Sequence, residues 1–213
     1  VRNRLTLDEI ANPATCPPEI DFASKLQMTI NLAWLVNELH DLDYALGDLH
    51  LGNALGSRTG CISLVDTDSL QFYRNGQLYR CRVGKADYLP SELHGISLET
   101  VIRTPEHDAF ALATCIFQLL MLGNHPFAGQ WLGKGRKPSL DQRIVAGDWP
   151  YAVPPPKDWR PRRAAPPFGA LHPLIQSAFR HCFQDGHHRP ALRPTADDWY
   201  QVLAEAAADA AFL

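Results

Sequence analysis

Apolar residues recur at helical spacing from Phe22 to His40. Leu26, Ile30 and Ala33 form one stripe, and Met28, Leu32, Leu35 and Leu39 form a second. Two stripes make a wide apolar face, which predicts a deeply buried helix. Asp108 to Leu122 is apolar nearly all round and predicts a core helix. Thr104 stands at its cap, Pro105 at its first position and Gly123 just past its end. Leu171 to Phe183 and Thr195 to Ala208 predict two more helices. Thr195 is a natural cap, and Asp197 and Asp198 fall in the first turn, where the helix dipole favours negative charge. Cys61 to Val65 and Leu70 to Tyr73 are short β-like runs, bordered by the turn signals "SRTG" and "RNG". They predict a short hairpin carrying Asp66 and Asp68. From Gly129 to Pro167 the periodicity gives way to Pro and Gly, with two basic clusters, "GKGRKP" and "WRPRR". That stretch reads mostly as loop, with a short helix at Leu140 to Ala146. The chain is therefore expected to be mainly α.

Composition narrows the setting. The 213 residues are 46% hydrophobic and 20% charged, as in an ordinary globular protein. A net charge of -3 offers no basic field for nucleic acid or a membrane surface. No apolar run reaches the roughly 18 residues a membrane span needs. Cys16, Cys61, Cys81, Cys115 and Cys182 are odd in number, scattered and without a C-x-x-C pair. They argue against a disulfide framework and a zinc finger, and point to a reducing cytoplasm. "GQWLGKG" is one residue short of a Walker A loop and lacks the Ser or Thr after its lysine. Cys182 with His181, His187 and His188 has no standard metal spacing and reads as a helix end with exposed histidines.

The chemistry concentrates between Ala45 and Phe72. "GDLHLGN" places Asp48 and Asn53 five residues apart, and "VDTDS" places Asp66 thirteen residues after Asn53. Taken singly, Asp48 beside Gly47 reads as a turn cap, and Asn53, Asp66 and Asp68 as turn residues. Together, in this order, they resemble the C-terminal lobe of the protein-kinase-like fold. There a buried helix leads to H-R-D-x-x-x-x-N, then a strand pair, then D-F-G. Further on, "YLPSELHG" resembles the A-P-E segment, with Glu92 as its glutamate. "PEHDAFALATCIFQLLMLGNHPF" resembles the central helix, with Asp108 near its start. "RHCFQDGHHRPALRPTADDW" resembles the closing segment, with Arg193 as its arginine. The match covers roughly residues 20 to 205. The nearest subset is a group of bacterial eukaryotic-like Ser/Thr kinases with D-T-D-S in place of D-F-G. Members of that group tend to be encoded beside a PP2C-type phosphatase and a von Willebrand factor A-like protein.

The resemblance implies a fold, a reaction and a set of roles. The fold would be a kinase-like C-lobe over residues 1–213, with short β-hairpins around active-site loops at 45–72 and a Pro/Gly-rich basic insertion at 129–167. The reaction would be transfer of the ATP γ-phosphate to a protein hydroxyl, with ATP and Mg²⁺ as cofactors. Asp48 would orient the acceptor hydroxyl and take its proton, with His50 beside it in the catalytic loop. Asn53 and Asp66 would hold the metal, Asp66 being favoured by register and Asp68 the alternative. Hard oxygen ligands are what magnesium takes. Glu92 and Arg193 would form a buried ion pair, and Asp108 would hold the catalytic-loop backbone. Possible partners are a protein substrate, the phosphatase and the von Willebrand factor A-like protein, with no nucleic acid and no membrane segment.

Several positions depart from the family pattern. Leu46 and Gly47 replace H-R, His50 stands where many kinases have lysine, and D-T-D loses both the aromatic and the glycine of D-F-G. "GDLH" is common in small-molecule phosphotransferases of the aminoglycoside group, which makes that class, or a pseudokinase scaffold, the rival reading. Arg80 and Arg82 lie in the activation-segment region and could hold a phosphate. No glycine-rich loop and no V-A-I-K lysine occurs, and Lys25 lies on the buried helix, so an N-lobe is expected outside this chain, with Leu5 to Ile10 as the first helix of the C-lobe.

Overall fold

Residues 4–209 and Phe212 are described by the computed structural model, which is mainly helical with small antiparallel sheets. Leu5–Thr6 forms a strand, β1, and only then does the helix Leu7–Ala11, α1, begin. The expectation of one helix over Leu5 to Ile10 is corrected there. Thr6 is extended, caps α1 and exchanges hydrogen bonds with Glu9 in a capping box, so the helix cannot start earlier. Phe22–Asp41 is α2, capped by Asp21, whose Oδ1 accepts the Ser24 N–H at 2.8 Å.

Ala54–Gly56 (β2) pairs with Ile62–Leu64 (β3), and β1 adds to the outer edge of β2. Phe72–Arg74 (β4) pairs with Gln77–Tyr79 (β5). The expected single hairpin is thus two. The partner of 62–64 is the segment before the "SRTG" turn, and "RNG" closes the second pair. Asp66 and Asp68 sit between the hairpins, around a single 3-10 turn at Thr67–Ser69.

Pro105–Leu120 is α3, and every residue from Asp108 to Leu120 is buried. Its start follows from Thr104, whose N–H donates to His107 Nδ1 at 3.0 Å, and from Pro105, which needs no backbone donor there. Gln130–Trp131 (β6), Leu140–Ala146 (α4) and Trp159–Arg160 (β7) fall in the stretch expected to be mostly loop. β6 and β7 pair, and Trp149 and Trp159 are fully buried, so this stretch folds back on itself and on the core. Arg143 covers the Trp159 ring at 4.6 Å, and Trp159 Nε1 donates to Asp148 Oδ2 at 3.1 Å. One of the stretch's tryptophans therefore anchors its cationic neighbour rather than leaving it to solvent. Pro173–Arg180 (α5) continues into one π turn at His181–Asp185, and Ala196–Ala208 is α6. His187 is buried, with Nε2 3.3 Å from the Val145 carbonyl oxygen, so it is not the exposed histidine expected at this end.

The core is a contiguous cluster around α2, α3, α5 and α6. Phe110, Phe117, Phe127, Phe179, Phe183, Trp149 and Trp199 all lie within it. Each such side chain stabilises the fold by about 1.5–3 kcal/mol or more through loss of water contact. Among the described residues no helix is long and apolar enough to cross a membrane.

Candidate active site

The site is built outward from α3. Asp108 is 1% exposed, and its two oxygens are fully used. Oδ2 accepts the Leu46 N–H and Oδ1 accepts the Gly47 N–H, each at 2.7 Å. His40 Nε2 lies 3.1 Å from Oδ2. A carboxylate that accepts backbone N–H groups in a dry setting is a strong, charge-assisted anchor. The loop that carries Asp48 is therefore pinned to the most buried helix of the molecule.

Close packing fixes the next residue. Gly47 has φ of +67°, and a Cβ there would lie 2.5 Å from Cys81 Sγ. Only glycine meets both conditions. Asp48 follows, half-buried, with Oδ1 accepting the Lys85 N–H at 3.1 Å and its carbonyl accepting Asn53 Nδ2 at 3.2 Å. No donor among the described residues reaches its other oxygen, Oδ2. His50 starts a 3-10 turn, Leu51–Asn53, by accepting the Gly52 N–H on Nδ1 at 3.1 Å. Burial lowers the pKa of His50; Asp48 pulls it back up and Lys85 pushes it further down. The imidazole is thereby neutral near pH 7, with its proton on Nε2.

Hairpin register explains the spacing of Asn53 and Asp66. Ala54 lies opposite Leu64, so the next pair outward is Asn53 and Val65, and the Val65 N–H donates to the Asn53 carbonyl at 2.9 Å. Asp66 is one residue beyond that bond. Its backbone is left-handed, at φ 54° and ψ 42°, a conformation aspartate tolerates better than most residues. Asn53 is half-buried, while Asp66 and Asp68 are exposed. Of the four, only Asp48 and Asn53 lie partly inside the fold. The hairpin ends at solvent, so the aspartates after it point away from the core.

Asp48, His50, Asn53, Asp66 and Asp68 line one open cleft of 560 Å³. Arg80 and Arg82 line it as well. Among the described residues no group of three or more His, Cys, Asp or Glu side chains could hold a metal ion. Asn53 Oδ1 and the Asp66 carboxylate are nonetheless hard oxygen donors on the same cleft, and neither makes a side-chain hydrogen bond through those oxygens among the described residues.

Away from the cleft, Arg193 binds Glu92 in a bidentate pair, at 2.6 Å from Nη1 to Oε1 and 2.9 Å from Nη2 to Oε2. Arg193 also donates to the Gly186 and Glu106 carbonyls, each at 3.0 Å. Burial pushes the Glu92 carboxyl up, but the hydrogen bonds and charge of Arg193 together carry it below its ordinary value. Gln71 was not picked out in the sequence. Its buried amide exchanges two 2.8 Å hydrogen bonds with the Arg103 backbone, and its own backbone bridges to Ala45, so it ties the approach to α3 to the start of the Asp48 loop. A lone glutamine between Leu70 and Phe72 gives no signal of this. The Lys85 contact is made by a backbone N–H, which side-chain identity cannot reveal.

No family model matches the chain. It is 29% identical over 187 residues to protein kinase YegI of Escherichia coli O157:H7, covering 84% of this chain and 28% of that protein. The same identity and coverage hold for protein kinase YegI of Escherichia coli strain K12. The chain thus spans a little over a quarter, 28%, of the length of the curated relatives it matches. This similarity, over most of the chain, supports a kinase-like relationship.

Proposed function

We propose that this chain is the C-terminal lobe of a Ser/Thr-type protein kinase that transfers the ATP γ-phosphate to a protein hydroxyl. The observation that carries the reading is the convergence of Asp48, Asn53 and Asp66, from a pinned loop and two ends of a hairpin, on one open cleft. Phosphoryl transfer needs little covalent chemistry from a protein. It needs an oriented acceptor, an oriented nucleotide and neutralised charge. Asp48 meets the first need: the Lys85 N–H fixes one carboxylate oxygen and leaves the other to accept the acceptor's proton. Asn53 and Asp66 are the residues that would hold Mg²⁺, which keeps waters and phosphate oxygens in its remaining positions. When bound, the ion neutralises charge on the transferring phosphate. His50, neutral and bound to the loop backbone, shapes the turn between Asp48 and Asn53 and can hydrogen-bond through Nε2.

The test is phosphoryl transfer by the full-length protein carrying Asp66→Asn or Asp48→Asn. Asp66→Asn is expected to abolish transfer from labelled ATP while the thermal midpoint stays unchanged, because Asp66 is exposed and braces nothing. Asp48→Asn should lower the rate about 10²–10⁴-fold, the usual worth of a general base. Wild-type transfer by the Asp66 variant would pass the metal role to Asp68. Transfer to a small-molecule hydroxyl but to no protein would favour the aminoglycoside-type reading.

A further inference from the structure

The cleft holds two opposite charges that do not neutralise each other. Asp48, Asp66 and Asp68 line it, and so do Arg80 and Arg82. Neither arginine is hydrogen-bonded or ion-paired to any group among the described residues, and both are exposed. Cations left unpaired beside carboxylates in one cleft are placed for a ligand that brings its own anion.

The arginines are not on a loose strap. They flank Cys81, which is fully buried against Gly47. Cys81 Sγ lies 3.3 Å from the Val83 carbonyl, which also accepts Arg103 Nη2 at 2.7 Å. Lys85, two residues on, donates its N–H to Asp48. The segment from Arg80 to Lys85 is thus fastened to the loop of Asp48, on the acceptor side of the proposed reaction. It is not fastened to the hairpin that carries Asn53 and leads into Asp66. Val83, 49% exposed, lines the same cleft and adds an apolar contact that a phosphate chain has no use for but a peptide does.

We infer that Arg80 and Arg82 select protein acceptors carrying an anionic side chain, carboxylate or phosphate, within a few residues of the hydroxyl that meets Asp48. The inference rests on the kinase reading above and names its substrate class. Without the arginines, three carboxylates would repel such a segment; with them, the anion is bound through planar guanidinium forks suited to carboxylate and phosphate. A basic residue at that position would instead be held off by like charge.

Four fluorescent peptides test it, identical except for one residue near a single serine: alanine, lysine, glutamate or phosphoserine. Binding to the full-length protein is followed by anisotropy without nucleotide, and transfer by labelled ATP. The wild type should bind the glutamate and phosphoserine peptides roughly two- to fivefold more tightly than the alanine peptide, the range for ion pairs open to solvent. The ratio between those two peptides tells carboxylate from phosphate as the preferred anion. Arg80→Gln/Arg82→Gln should erase that preference, and Arg80→Glu/Arg82→Glu should turn it toward the lysine peptide. The loss should fall on KM for the peptide and not on KM for ATP. Both sites are exposed, so thermal midpoints report whether the variants are folded. Equal binding of all four peptides by the wild type would overturn the inference, as would a double variant that raises KM for ATP alone. Transfer without charge preference leaves the kinase reading standing and this one refuted. Charge-selective binding that the arginine variants lose, with no transfer to any peptide, upholds the arginine assignment and refutes the kinase reading.

Discussion

Glu92 and Arg193 stand 101 residues apart in sequence and form a bidentate ion pair. Arg193's side chain is 1% exposed and Glu92's 29%. Removing the acid leaves a buried guanidinium with two carbonyl acceptors and the Phe110 ring at 5.6 Å, but no counter-charge. Glu92→Ala should therefore cost about 3 kcal/mol near pH 7, the low end for breaking a buried pair, because those carbonyls and solvent at Glu92 soften the loss. The pH dependence has a definite sign. The Glu92 pKa is lowered in the folded state from 4.5, so the unfolded chain takes up protons first as pH falls. The pair's stabilisation is complete above that ordinary value and disappears as pH drops through the lowered one. Urea unfolding of wild type and Glu92→Ala should differ near pH 7 and draw together at acid pH, below the lowered Glu92 value. A constant difference at both would mean that the carboxylate is not the partner that matters.

At the scale of elements, α3 organises the site, and this was legible because its signal is long and continuous. Thirteen successive buried residues leave no other reading of Asp108 to Leu120 than a core helix. The same holds for α2, whose two stripes run its whole length. Short strands carry no such signal. Three residues of β3 or β4 cannot say which neighbour they pair with, and the hairpin was assigned to the wrong partner for that reason. The fold of 129–167 was hidden in another way: Pro and Gly obscured the burial of Trp149 and Trp159, and Trp159 is held by Arg143 and Asp148 from the same stretch. The candidate site was legible as residue types, since Asp48, Asn53 and Asp66 do share a cleft, but its fastening through backbone groups was not. Asp108 makes that fastening testable. Asp108→Asn keeps the shape and turns one of the two carboxylate acceptors into a donor facing a backbone N–H. A buried donor left unsatisfied costs about 1–3 kcal/mol. Hydrogen exchange at Leu46 and Gly47 should quicken by at least about tenfold relative to α3, since that loss acts on the loop first. Uniform quickening across the helix, or none, would show that the loop is held by something other than Asp108.

For the whole molecule, the question is how much of a nucleotide this chain can hold by itself. The core of the described residues is contiguous and rich in aromatic side chains. The cleft differs from the core in kind. Its lining is carboxylates, an amide, an imidazole, a hydroxyl and guanidiniums, with Val83 as its exposed apolar side chain. Such a surface suits metal and phosphate but offers no apolar slot for a purine ring, and ligand sites gain most of their affinity from apolar walls around a few polar groups. The cleft is also open, so charges there act through water rather than in a dry cavity, which weakens each of them. The 213-residue chain should therefore bind Mg·ATP with a Kd weaker than about 1 mM, less than roughly 4 kcal/mol of binding free energy. Adenine should add nothing to that affinity, so Mg·ATP and Mg·triphosphate should titrate alike by calorimetry. Asp66→Asn should weaken both equally. Micromolar affinity for Mg·ATP with none for triphosphate would reveal a base-binding wall within these residues and refute the phosphate-end assignment of the cleft.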